Sequence, residues 1–193
     1  MTSRVMAALV LLFLAAIGLA APASAEVADH VVARAFLEDP TGALGLEDVR
    51  GRDFAPFDGV LTRGFGTSAI WLRLRIDPTA ADGGAAKEAG DAAENLILRI
   101  QPAFLDEIAL YDPEAGTSEP RLAGDRHERA AGEYTSANIN FTVPRGAAPR
   151  DLYLRIETSS TRLVSVMAMP PLETLARDQR QQIVNAFYPT FPK

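Results

Sequence analysis

At 193 residues with no cysteine, the chain is long enough to bury about 70% of its unfolded surface, and disulfides contribute nothing to it. A net charge of −6, from 25 acidic and 19 basic side chains, excludes the dense cationic face that nucleic-acid binding requires. Only Lys87 and Lys193 among the basic residues are lysines, an arginine excess of the kind that genome composition produces.

The first 25 residues have the layout of a secretory leader. Arg4 supplies the positive start, residues 5–20 form an apolar run, and Ala23-Ser24-Ala25 is an A-x-A cleavage site, so the mature protein is expected to begin at Glu26. The competing reading is an uncleaved anchor. Against it, the run is short for a span of roughly 20 residues, and Pro22 follows at once. The division expected is a leader at 1–25, a folded domain at 26–170, and a helix with a tail at 171–193.

Along the mature chain the strongest patterns have period two. Residues 31–37 read as a strand, closed by the turn Asp39-Pro40-Thr41-Gly42. Residues 46–49 are enough for one helical turn. In the next strand Ile70, Leu72, Leu74 and Ile76 alternate with Trp71, Arg73 and Arg75. The stretch 77–94, rich in Ala, Gly and Asp without a large apolar side chain, predicts a mobile surface loop. Further strands are expected at 96–100, 107–111, 136–143, 151–158 and 162–169, the last apolar on both faces. Turn sequences at 112–116 and 144–146 separate them. Residues 172–187 form the one convincing helix, broken by Pro189; Leu172, Leu175, Ile183 and Phe187 share one side, and Arg177, Asp178, Arg180 and Gln181 are expected to face water. Seven or so strands without intervening helices predict an all-β, antiparallel two-sheet sandwich ending in a short helix.

Several polar faces are candidates for binding. Trp71 beside Arg73 could form a sugar platform, the indole stacking on a ring and the guanidinium donating to hydroxyls or a carboxylate. Equally, Trp71 could pack beneath a loop whose carbonyls Arg73 satisfies. Tyr153 and Arg155 form a similar face with Glu157, where Arg155 either pairs with Glu157 or meets a ligand. Asn138 and Asn140 offer amides that suit hydroxyls and suit solvent equally well. On one sheet, these six residues would make a concave site for a saccharide or carboxylate. His30 and His127 read as solvated loop residues, with no metal-ligand spacing, and no residue pattern specifies a calcium site. No nucleophile has an evident base partner. A hydrolase would have to draft Asp106 with Glu107, or Glu157, which any acidic sandwich offers by chance. A non-enzyme without a cofactor is expected.

The order of motifs carries a resemblance. Leu37-Glu38-Asp39-Pro40-Thr41-Gly42 is followed by Leu46-Glu47-Asp48-Val49, Phe54-Ala55-Pro56, Trp71-Leu72-Arg73, Gln101-Pro102-Ala103-Phe104-Leu105-Asp106, Leu110-Tyr111, and Leu152-Tyr153-Leu154-Arg155-Ile156 with Ser159 and Ser160. Over about residues 31–170 this resembles the type-two extracellular domain of bacterial seven-transmembrane receptors with diverse intracellular signalling modules (7TMR-DISM). The resemblance implies a periplasmic jelly-roll related in shape to carbohydrate-binding modules. It also implies a role in ligand sensing ahead of seven membrane helices and a diguanylate cyclase, histidine kinase or phosphatase module. The family's Gly-Tyr-Tyr-Gly-like lead-in to the membrane is not matched, although Tyr188 is a candidate remnant. With no span before Lys193, the expectation is a truncated receptor, a stand-alone binder, or half of a split system. Membrane attachment would come only through a missing downstream region. The alternative to a small-ligand sensor is a protein-interaction module that docks against itself or against a receptor partner.

Overall fold

The computed structural model describes residues 29–80, 94–116, 119–128 and 133–187, with side chains of the last helix described as far as Gln182. The expected leader, most of the loop expected at 77–94, and the tail with Tyr188 lie outside these residues.

The described chain runs β1 (Val31–Asp39), α1 (Leu46–Arg50), β2 (Ala55–Pro56), β3 (Val60–Thr62), β4 (Ala69–Ile76), β5 (Asn95–Gln101), β6 (Glu107–Tyr111), β7 (Arg121–Ala123), β8 (Ile139–Pro144), β9 (Arg150–Glu157), β10 (Leu163–Met169) and α2 (Pro171–Phe187). All strand pairs are antiparallel. One sheet has six strands in the order β2-β1-β4-β9-β6-β7, the other four in the order β3-β10-β5-β8. Alternation explains the layers: Leu72 and Leu74 on β4, Leu98 on β5, Phe141 on β8, Leu154 on β9 and Val166 on β10 all point into one shared core. Each such side chain contributes roughly 1.5–3 kcal/mol on burial, so the inward half of the alternating pattern dictates the sandwich.

The strands that the sequence pattern did not predict, β2, β3 and β7, are two or three residues long and too short to show a period. β8 begins at Ile139 instead of Ser136. There the Ser136 Oγ accepts from the Asn138 amide N–H at 3.0 Å and from Asn140 Nδ2 at 2.7 Å, a local side-chain turn that competes with strand extension.

At one side of the sandwich the two sheets are stitched by polar groups. Asp29 pairs with Arg34 and accepts from the Ala168 amide at 3.0 Å, while Arg34 donates to the Val166 carbonyl through Nε at 3.1 Å. His30, expected to be solvated, is instead 1% exposed, its Nδ1 lying 2.9 Å from the Asp77 carbonyl. Its place between two strand ends, not its polar sequence neighbours, decides its burial.

The turn after β1 is organised by Asp39, which is fully buried. Its Oδ1 accepts from the Thr41 amide and hydroxyl at 3.1 and 2.7 Å and from Gly42 N–H at 2.9 Å, and Oδ2 accepts from Leu44 N–H at 3.0 Å. Gly42 takes φ +64°, the left-handed region open to glycine. Burial works to raise the Asp39 pKa, but these hydrogen bonds outweigh it and hold the carboxyl below its ordinary 3.8. The native turn thus favours the ionised form, so its contribution is complete above about pH 4 and fades as acid carries the pH down through the lowered folded pKa. Asp39→Ala is expected to cost about 2–4 kcal/mol at neutral pH and to flatten the acid limb of stability, measured by urea unfolding between pH 3 and 7. An unchanged acid limb would refute this assignment.

Candidate functional site

The six residues predicted for binding do not share a surface. Trp71, Arg73, Tyr153 and Arg155 stand on the outer face of the six-stranded sheet, where β4 and β9 pair Trp71 with Arg155 and Arg73 with Tyr153. Asn138 and Asn140 belong to the opposite sheet and its approach, with Asn140 on β8 directly across from Arg99 of β5. The concave site that would have joined all six does not form, because alternating polar faces of two strands converge only if both strands sit in one sheet.

The first group is itself covered. Residues 40–54 fold back over the six-stranded sheet, and Val49 and Phe54 join Trp71, Tyr153 and Ala35 in a second buried cluster. Trp71 is fully buried, 5.3 Å from the Tyr111 ring, so no sugar can stack on it. Arg73 does not reach loop carbonyls as expected; its guanidinium lies 5.0 Å from the Phe54 ring centroid. Burial, assisted by nearby Asp151, raises the Tyr153 pKa. Arg155 pairs with Glu157 and donates to the Gly42 carbonyl at 2.7 Å, fastening the Asp39 turn. Trp71 and Tyr153 thus belong to the second core, and Arg73 and Arg155 fasten the segment that covers it.

The open side of the molecule lies where β7 ends one sheet and β8 ends the other. Between these edges is a cavity of about 380 Å³ whose wall includes Ala123, Asp125, His127, Glu133, Asn138 and Asn140, a volume at the small end of the range for ligand pockets. Its β7 side is anchored: Asp125 N–H donates to the Leu105 carbonyl at 2.8 Å and Arg126 N–H to the Asp106 carbonyl at 3.1 Å. Asp106 in turn accepts from the Ser159 amide and hydroxyl, which hold its carboxyl below the ordinary range. Arg121 straps the gap, donating to Glu133 Oε1 at 3.1 Å and to the Thr142 carbonyl at 2.8 Å across the edges. His127 Nε2 is 2.9 Å from Glu107 Oε2.

Asn140 holds the key position. It is 5% exposed, and its Nδ2 donates to Ser136 Oγ at 2.7 Å, Asn138 O at 3.0 Å and Tyr134 O at 3.4 Å. Its Oδ1 is buried without a partner. Tyr134 then donates its hydroxyl to Asp178 on α2 at 3.1 Å, and Asp178 pairs with Arg99, itself 4% exposed. Burial first, and then the Asp178 carboxylate, raise the Tyr134 pKa. The outer face of the four-stranded sheet is thus a buried polar network under α2.

This corrects the orientation expected for the helix. Thr174 is buried, Asp178 and Arg177 turn toward the sheet, and Arg177 Nη1 lies 3.5 Å from the Met167 sulfur. Leu172 and Leu175 are 69% and 45% exposed. An amphipathic helix usually lays its apolar stripe on the core, but here the sheet beneath presents Arg99, and a buried guanidinium demands a carboxylate. A lone arginine between Ile97 and Gln101 on the outward side of β5 was the sequence signal for that partner.

Among the described residues no group of three or more His, Cys, Asp or Glu could hold a metal ion, and no helix is long and apolar enough to cross a membrane. Comparison with curated proteins finds no match. The family model described as 7TMR-DISM extracellular 2 matches residues 33–169, well over half of the chain and the whole of both sheets apart from the first two residues of β1. The chain therefore belongs to the 7TMR-DISM extracellular 2 family, a family of receptor sensor domains that work outside the cytoplasm.

Proposed function

We propose that the domain is a periplasmic sensor whose β7–β8 cavity receives a small polar ligand, in the first instance a saccharide, and whose helix α2 carries the occupancy onward. One observation supports this above the others. Asn140 belongs at once to the cavity wall and to the network that fastens α2. A ligand that engages Asn140 competes with or reinforces its bonds to the 134–138 segment. Through Tyr134 it changes what Asp178 and Arg99 hold. A differential contact of this kind is what a ligand needs in order to shift a conformational equilibrium. Amides such as Asn138 and Asn140 offer both donors and acceptors, which suits hydroxyl recognition.

The test is calorimetric titration of the mature protein with a glycan panel, alongside hydrogen exchange of α2. Trp71 fluorescence is a poor reporter, since the indole is buried on β4 beneath residues 40–54 and is not among the residues of the cavity wall. A binding sugar is expected to alter exchange within residues 171–187, and Asn138→Ala to weaken it roughly three- to tenfold. No binding across sugars and carboxylates removes the ligand reading, while binding with unchanged α2 exchange removes the readout.

A second reading, docking of this domain against a copy of itself or a receptor partner, draws support from the exposure of Leu172 and Leu175 on α2. Sedimentation at several concentrations separates the two readings. A species that stays monomeric, with no change on Leu172→Glu, argues against the self-docking form.

A further inference from the structure

Far from the β7–β8 cavity, the connection from β3 to β4 crosses the end of the sandwich through Arg63-Gly64-Phe65-Gly66. β3 and β8 are opposite edges of the four-stranded sheet, so this turn lies on the other flank. Beneath it sits Arg162, which is 8% exposed. Among the described residues three arginines are buried, and two of them, Arg99 and Arg150, face the carboxylates of Asp178 and Asp112. Arg162 faces none. Its Nη2 donates to the Arg63 carbonyl at 2.9 Å and, at 3.4 Å, to the Phe65 carbonyl. Nε and Nη1 are buried without an acceptor. A buried guanidinium in that state favours whatever brings it a carboxylate.

The turn that covers it is lightly held. Gly66 lies directly on the guanidinium: a Cβ there would stand 2.6 Å from Nη2 and 2.7 Å from Cζ. Gly64 has no side chain and Phe65 is 78% exposed, so residues 64 and 65 bury no apolar side chain. The Arg162 amide donates to the Gly64 carbonyl at 2.8 Å, and the two bonds from Nη2 complete the fastening. Segments with few apolar contacts open at low cost. While the turn is down, Nε and Nη1 are out of reach of any solute. Lifting it uncovers them and frees Nη2 in the same movement.

We propose that residues 64–66 are a flap, and that Arg162 beneath it is a site for a small carboxylate, which pairs with the guanidinium side by side and holds the flap open. The carboxylate brings two charged acceptors where the flap brings two neutral carbonyls, and bidentate pairs of that kind are the stronger ones. The site is separate from the β7–β8 cavity and stands or falls without it.

Acetate titrated against acetamide at constant ionic strength tests it, read by the Nε–H resonance of Arg162 and by hydrogen exchange of the Arg162 amide. Acetate is expected to shift the resonance and to speed exchange of that amide, the reverse of what a ligand does to a segment it covers. Acetamide is expected to do neither, and Arg162→Gln to abolish the response. Gly66→Ala, whose Cβ unseats the flap, is expected to speed the same exchange without ligand. It should also tighten acetate binding roughly three- to tenfold, because the closed population no longer dilutes the affinity. An equal response to acetamide, or a response that survives Arg162→Gln, overturns the site. Acetate binding with exchange unchanged or slowed, or Gly66→Ala with the parent's exchange and affinity, overturns the flap. Should Arg162→Gln fail to fold, Gly66→Ala decides: an Nε–H resonance that acetate leaves unmoved in that variant overturns both.

Discussion

Replacing Asp178 with alanine is expected to release α2 from the sheet at a cost of about 3–5 kcal/mol, the penalty for leaving one member of a buried ion pair without the other. Arg99 is 4% exposed and its Nε is already unpartnered, so losing Asp178 strips its only ion-pair partner among the described residues. Tyr134 loses the acceptor for its hydroxyl in the same step. Hydrogen exchange should then show residues 171–187 unprotected while β5 and β10 remain protected, because the core on the other side of those strands is untouched. Adding Arg99→Leu to Asp178→Ala should recover part of the loss, since an apolar replacement for a buried pair is often neutral or stabilising. An Asp178→Ala variant with unchanged α2 exchange would show that the helix is held by other contacts, and the readout proposed for the sensor would fail with it.

Trp71→Ala is expected to cost about 3–5 kcal/mol in urea unfolding, within the range for removing a large aromatic from a core. The cost falls on the second core, where Trp71 packs beneath α1 and against Tyr111, so the segment 40–54 should loosen first. Trp71→Phe tests the same point more gently. The indole Nε1 has no hydrogen-bond partner, so phenylalanine forfeits volume alone, at about 1–2 kcal/mol. Any ligand bound at the β7–β8 cavity should be held by Trp71→Phe as tightly as by the parent protein. A sugar platform at Trp71 would give the reverse pattern, with affinity lost and stability kept.

These two results mark where sequence and structure part company. The seven longer strands were legible because the inward residues repeat every second position over five residues or more, as in Leu152, Leu154 and Ile156. The family, too, was legible from motif order. The outward faces were not, because period two says only that a residue points away from one core and is silent about a second. For Trp71 the missing clue was nearby: Leu44, Leu46, Val49 and Phe54 are apolar residues between two strands with no place of their own to be buried, and they needed a sheet face to cover. Helix α2 misled for a related reason. Its apolar side, beginning at Leu172 and Leu175, predicts polar residues facing water, but the electrostatic demand of Arg99 turns Asp178 to the sheet. The cavity itself was invisible in the sequence, since it arises where strands β7 and β8, from different sheets, fail to meet.

The strap between those two edges has a consequence for assembly. A sheet edge with free N–H groups invites another chain to add a strand. On β8 the Thr142 N–H is already taken by Glu133 and the Thr142 carbonyl by Arg121. A guest strand would have to displace both side chains, which are paired with each other, at once. Edge-to-edge annealing at Thr142 is therefore opposed on this flank.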